Sequence, residues 1–286
     1  MTHVRAKPAI PVAGEPMIVR ILKSLRVQGV TGCVLNLHHL PQTIAAVVGD
    51  GADLGVRVRY SWEQPRVLGS AGGPRHALPL IAGDPLLIVN GDTLTEAPLE
   101  ALEREHARSG ATVTLALVAN AEFQRYGGVC LDDNRCVTGF VRAGPAAQGS
   151  YHFVGLQLAR RSVFDPLPDN EAANTIGGVY DRLIAAHPGS VAGCVLSGDF
   201  WDVGTLDDYW RMSDAFAARE RRGEVICGRG AVIHPTARVT RSILWDDVEV
   251  GAGAAVDRCI LTDGARVAPG AVHQNEILTL DGPTDC

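Results

Sequence analysis

The sequence predicts an α/β fold with a mixed, mostly parallel sheet, followed by a short parallel β-helix. Three observations predict it. Helix-like and strand-like apolar runs alternate from Glu15 to about Arg221. Beyond Arg222 that texture gives way to a repeat in which residues superpose on a shift of seventeen. Composition then fixes the class: 46% hydrophobic and 20% charged residues over 286 positions describe a folded chain able to bury a sizeable core.

The elements follow in order. Ile18, Ile21, Leu22 and Leu25 sit at i, i+3, i+4 and i+7, one face of a helix, and Gly29 stops it. Thr31 to Leu37 has strand length, and Pro41 opens a helix to Val48. Val56, Val58 and Tyr60 alternate with arginines, as in a half-buried strand. A helix containing Pro74 to Ile81 is expected next, then a buried strand from Leu86 to Asn90. Leu99 to Arg108 reads as a helix and Thr112 to Val118 as a strand.

Tyr126 to Leu158 is strand-rich and turns at Asp132-Asp133-Asn134, which suggests an inserted antiparallel section. Val179 to Ala186 reads as a helix and Val191 to Leu196 as a strand. Thr205 with Asp208 three residues on resembles a capping box opening a helix to about Arg221.

In the repeat, Ile233 superposes on Val250, Val239 on Val256, Leu244 on Leu261, and Asp246 on Asp263. Ile233, Val239, Leu244, Val250, Val256, Leu261 and Val267 fall at spacings of six, five and six. Helical periodicity cannot produce this. A coil of three short strands can, with one aliphatic side chain inward from each face. Two domains are therefore expected, 1–222 and 223–286.

Several function classes are excluded or disfavoured. A net charge of −6 argues against a nucleic-acid footprint. No run approaches the ~18 apolar residues of a membrane span, and the N-terminus lacks a secretory apolar core. The seven cysteines, at 33, 130, 136, 194, 227, 259 and 286, include no C-x-x-C pair. They read as buried or loose thiols in a reducing cytoplasm rather than a zinc site.

Four segments carry candidate chemistry. Asp92 directly follows the apolar strand in V-N-G-D-T-L, where open α/β sheets bind ligands; it could hold a hard cation or cap a turn. Asp202 in F-W-D-V-G-T has the same design before a helix start, with the same two readings. L-G-S-A-G-G, Leu68 to Gly73, is expected as a loop between strand and helix whose backbone N–H groups could reach a phosphate. Lys7, fixed in R-A-K-P-A-I-P-V-A-G-E-P, could present a point charge to a phosphate or be a solvated surface lysine.

The order K-P-A-I-P-V-A-G-E-P-M-I, L-G-S-A-G-G, V-N-G-D-T-L, Y-G-G-V, W-D-V-G-T-L-D-D-Y and then a hexapeptide tail resembles the sugar-phosphate nucleotidyltransferase family. The resemblance covers nearly the whole chain and is nearest the mannose-1-phosphate guanylyltransferase-like branch. It implies a Rossmann-like catalytic domain followed by a left-handed β-helix. It implies condensation of a nucleoside triphosphate with a hexose 1-phosphate, GTP and mannose 1-phosphate by branch, to a nucleotide sugar and pyrophosphate. Lys7 would neutralise phosphate charge, and Asp92 and Asp202 would hold Mg²⁺. Gly69, Ala71 and Gly72 would line the nucleotide pocket, with Glu63 and Gln64 leading into it. Gly127 and Gly155 would face the sugar.

Two departures stand against that pattern. The family opens with a strand and a G-x-G-T-R-L segment, whereas Met1 to Ala6 here leads straight into Lys7-Pro8. A late gene start, a truncated chain or a degenerate relative would each explain it. The intact run from Thr2 to Pro16 favours the late start. Where the family often places a lysine on the sugar phosphate, this chain has Arg142 in F-V-R-A-G-P, which could substitute with a changed geometry or mark the role as lost. The competing function is a non-catalytic regulatory or nucleotide-sugar-binding relative of the same fold. The β-helix could also serve a homo-oligomer.

Overall fold

The computed structural model describes residues 1–284. Cys286, counted above among the thiols, lies outside them. Along the chain come α1 (Met17–Val27), β1 (Gly32–Leu37), α2 (Pro41–Val48), β2 (Arg57–Trp62), α3 (Gly69–Ala77), β3 (Leu86–Val89) and α4 (Leu99–Ser109). Then follow β4 (Val113–Ala119), β5 (Gly128–Leu131), β6 (Val137–Val141), β7 (Tyr151–Ala159), α5 (Tyr180–Ala186), β8 (Val191–Val195) and α6 (Leu206–Arg219). The apolar face foreseen on α1 is buried at Ile18, Ile21, Leu22 and Leu25.

The chain forms two compact units that interleave along the sequence. One comprises Leu22–His39 and Gly49–Phe200; the other comprises Met1–Ile21, Leu40–Val48 and Trp201 onward. The division therefore cuts across the boundary expected near residue 222. The N-terminal signature segment belongs with the C-terminal repeat.

In the first unit, β8, β4, β7, β5 and β6 pair in that order, and β3 also pairs with β7. β4 and β8 are parallel, while β7 runs antiparallel to β3, β4 and β5. β3, β4 and β8 thus share one direction, with the inserted antiparallel section around β7. β4 alternates as a strand covered on both faces must. Val113, Leu115 and Leu117 join one core with Val179, Tyr180, Phe164 and Leu86. Thr114, on the opposite face, meets His106 of α4 at 2.8 Å.

β1 and β2 form a separate parallel pair. Among the described residues, no second strand pairs with β1 or with β3 on the remaining side. Val34, Leu35, Leu87, Ile88 and Val89 are only half-buried. Residues of this type on interior strands of a parallel sheet are ordinarily covered on both faces.

In the second unit the repeat folds as foreseen. Ile226, Ile243, Ile260 and Ile277 stack in parallel register, each seventeen residues after the last. Val232, Glu249 and Arg266 stack on the second sheet, and Arg238, Ala255 and Val272 on the third. Leu244, Val250, Val256, Leu261 and Val267 fill the interior. The corners use left-handed backbone at one register position: Arg241, Arg258 and Asn275 have φ of 42°, 52° and 55°. Among the described residues, no helix is long and apolar enough to cross a membrane.

Candidate active site

The V-N-G-D-T turn follows β3 and is held from behind by β7. Asn90 N–H donates to the Gly155 carbonyl at 2.7 Å, and the Thr93 hydroxyl to the Val154 carbonyl at 3.3 Å. Gly155 has φ of +79°, inside the register shift between Phe153 and Gln157. A Cβ there would lie 2.7 Å from Thr93 Oγ1 and 2.8 Å from Asn90 Cβ. Only glycine permits this approach. Gly155 therefore sets the turn that carries Asp92, which is half-buried just past the strand end. The resemblance assigned Gly155 to the sugar; its contacts are with the Asp92 turn.

L-G-S-A-G-G is not the loop that glycine content suggested. Gly69 to Gly73 open α3, and Pro74 lies inside the helix. The amides of Ala71 and Gly72 donate to the Ala173 carbonyl at 2.8 and 3.1 Å. A Cβ on Gly69 would stand 2.8 Å from that same carbonyl oxygen, and one on Gly72 would strike the Glu171 carbonyl. These small residues let the 171–174 segment lie directly on the helix start. Ala71 is fully buried and Gly72 buried with it.

Glu63 is buried at 6% exposure. Its carboxylate accepts from Leu68 N–H at 2.7 Å and from Asn36 Nδ2 at 3.0 Å. Gly73 leaves room for it, since a Cβ would meet Glu63 Oε1 at 2.5 Å. Glu63 thus anchors the 63–68 segment ahead of α3, while Gln64 beside it is exposed. The sequence reading missed Asn36 and Gly73 as its partners.

The Y-G-G-V turn is organised by Asn120, which sequence reasoning also missed. Asn120 Nδ2 donates to the Tyr126 carbonyl at 3.1 Å and reaches the Gly127 carbonyl at 3.5 Å. A Cβ on Gly127 would sit 3.0 Å from the Val141 carbonyl, so the turn lies against the end of β6. Arg142 follows directly and is exposed. Beside the turn, Tyr126, His152 and Phe200 form a ring cluster, with centroids 4.5 Å apart for Tyr126–His152 and 4.6 Å for His152–Phe200. The Arg125 guanidinium stacks on Tyr126 at 4.7 Å. No spacing rule announces that cluster, because its members come from three separate segments.

Lys7 and Asp202 belong to the second unit. Lys7 starts a short 3₁₀ turn, Lys7–Ala9, with Pro8 in its second position. Only two of the chain's 26 basic residues are lysines, Lys7 and Lys23; every other is arginine. Asp202 ends the short strand Phe200–Asp202 and is half-buried. Behind it the capping box of α6 is complete: Thr205 Oγ1 accepts from Asp208 N–H at 3.2 Å, and Asp208 Oδ2 accepts from Thr205 N–H at 2.8 Å.

Asp92 and Asp202 are oxygen donors, the donor type a hard cation takes. Among the described residues, no three His, Cys, Asp or Glu side chains cluster as a metal site of their own. Two carboxylates with the remaining ligands from phosphates and water is the way Mg²⁺ is ordinarily bound.

Comparisons with known proteins identify the family. Residues 1–219 match the family model described as nucleotidyl transferase, and residues 220–276 match the GlmU-like C-terminal hexapeptide model. A mannose-1-phosphate guanylyltransferase of Mycobacterium tuberculosis is 27% identical over 281 residues, spanning 95% of this chain and 78% of that protein. A D-glycero-alpha-D-manno-heptose 1-phosphate guanylyltransferase of Aneurinibacillus thermoaerophilus is 30% identical over 203 residues, spanning 71% of this chain and 86% of that one. A crystal structure of HddC from Yersinia pseudotuberculosis superposes with a TM-score of 0.65 at 20% identity, covering 74% of this chain and 91% of that one. With more than half its length in the matched model and the motifs in family order, the chain belongs to the nucleotidyl transferase family, as a sugar-phosphate nucleotidyltransferase with a hexapeptide-repeat tail.

Proposed function

We propose that this chain transfers a guanylyl group from GTP to mannose 1-phosphate. A phosphate oxygen of the sugar attacks the α-phosphorus, a P–O–P linkage forms, the α–β bridge breaks, and pyrophosphate leaves. The observation that carries the choice of substrates is the agreement of two relatives: both are named as guanylyltransferases of manno-configured sugar 1-phosphates. No side-chain nucleophile is needed, because the sugar phosphate supplies it. Such transfer depends on positioning and charge neutralisation.

Lys7 places a cation on the phosphates. Gly155 and the backbone of β7 set the turn that carries Asp92. Arg142, exposed after β6, supplies the second cation on the sugar phosphate. Asp92 and Asp202 are the residues that would hold Mg²⁺, which supplies charge neutralisation between the two phosphates when bound.

The test is a matrix of nucleoside triphosphates against sugar 1-phosphates, read by pyrophosphate release. The highest kcat/KM is expected for GTP with mannose 1-phosphate. A protein that binds a nucleotide sugar yet releases no pyrophosphate with any pair would instead be the regulatory relative.

A further inference from the structure

In the second unit Arg5, two positions before Lys7, is enclosed by two carboxylates. It is 8% exposed. Its Nε and Nη2 donate to the two oxygens of Asp263 at 2.6 and 2.7 Å, a bidentate fork. Nη2 also donates to Asp246 at 2.8 Å. Nη1 turns back to the Ala9 carbonyl at 3.3 Å, closing the chain around Lys7. The guanidinium stands over the Trp245 ring, 5.6 Å from its centroid.

The two carboxylates are the same register position of successive β-helix coils. Asp246 N–H donates to Asp263 at 3.2 Å, and Arg229, one coil before, donates its N–H to Asp246 at 2.8 Å. Burial alone lowers the pKa of Arg5, yet hydrogen bonds and charge from Asp263 and Asp246 outweigh it and raise the value. Burial raises that of Asp246, and Arg5 reverses it to a net fall. The Arg5–Asp246 pair is therefore kept in its charged form. Neighbouring contacts hold the same stretch: Trp245 Nε1 donates to Tyr209 Oη at 2.9 Å, and Tyr209 Oη to the Pro11 carbonyl at 2.7 Å. Ala6 N–H donates to Thr43 of α2 at 3.1 Å.

Every anchor thus grips the segment on either side of Lys7, from Arg5 to Pro11, and two of them are β-helix coils. We propose that Arg5, clamped by Asp246 and Asp263, is a positioning residue for Lys7. The β-helix is then a part of the catalytic apparatus and fixes where its lysine stands. This rests on the reading of Lys7 as the phosphate-neutralising cation. Lysine's flexible stem makes such a device useful, because a point charge is only as well placed as the backbone that carries it.

The composition supplies a direct probe. Reductive ¹³C-methylation of the full chain labels two side chains, Lys7 and Lys23, apart from the N-terminus, and Lys23 serves as the internal reference. GTP is expected to shift the Lys7 resonance and leave that of Lys23 in place. In R5M, and in the isosteric pair D246N/D263N, the Lys7 response is expected to be lost. In the pyrophosphate-release assay kcat is expected to fall about tenfold to a hundredfold, with KM for GTP within about threefold. R5K, which keeps charge but not the fork, should fall between. If R5M is poorly folded, D263N alone, which leaves Arg5 its bond to Asp246, provides the comparison. Folded variants whose Lys7 response and kcat match the parent overturn the inference. A K7M protein with full activity overturns the reading of Lys7 itself, whatever the Arg5 variants do.

Discussion

At the scale of single residues, the structure turns on a few close approaches. Gly155 is the clearest. Alanine there must take a positive φ and push into Thr93 and Asn90. Gly155→Ala is expected to cost about 1–3 kcal/mol in chemical denaturation and to displace the Asp92 turn. Tyr209 is the counterpart in the second unit. It is fully buried, accepts from Trp245 and donates to Pro11. Tyr209→Phe leaves both partners unsatisfied and should cost about 1–3 kcal/mol by the same measurement.

The Asp246 carboxylate gives a pH signature. Its folded-state pKa lies below the ordinary 3.8, so its contribution is complete above 3.8 and is lost as pH falls through the lower, folded value. Melting temperature should therefore drop less steeply below pH 3.8 in D246N than in the parent chain.

At the scale of elements, what the sequence disclosed depended on whether the signal was local. α1 and the seventeen-residue coil were legible as short-range periods in apolar residues, α2 from the Pro41 that opens it, and the capping box at Thr205 from Asp208 three residues on. Thr205→Ala should cost about 1 kcal/mol. The start of α3 was misread as a loop. Glycines ordinarily break helices, but here a tertiary contact overrides propensity: Ala173 and Glu171 lie where any Cβ on Gly69 or Gly72 would stand. Asn120, Asn36 and the Tyr126–His152–Phe200 rings were invisible for a related reason. Their partners are distant in sequence and follow no period.

At the scale of the whole molecule, motif order carried the functional reading further than any motif alone. Lys7, Asp92 and Asp202 were each ambiguous, and their order along a matched 219-residue span decided the family. What the order did not disclose is the interleaving of the two units. The segment around Lys7 folds with the C-terminal coils, through Arg5, Asp246 and Asp263. Ending the chain at residue 222 would strip Arg5 of both carboxylates and Tyr209 of its Trp245 donor. Such a protein is expected to show a lowered melting temperature, and added β-helix in trans should not restore it.

The measurement closest to the central claim is pyrophosphate release by the protein with GTP and mannose 1-phosphate in the presence of Mg²⁺. The account predicts turnover with this pair at the highest kcat/KM of the matrix, abolished in K7M and sharply reduced in D92N and D202N. Turnover that is unchanged in all three variants, or absent for every nucleotide and sugar phosphate offered, would contradict it.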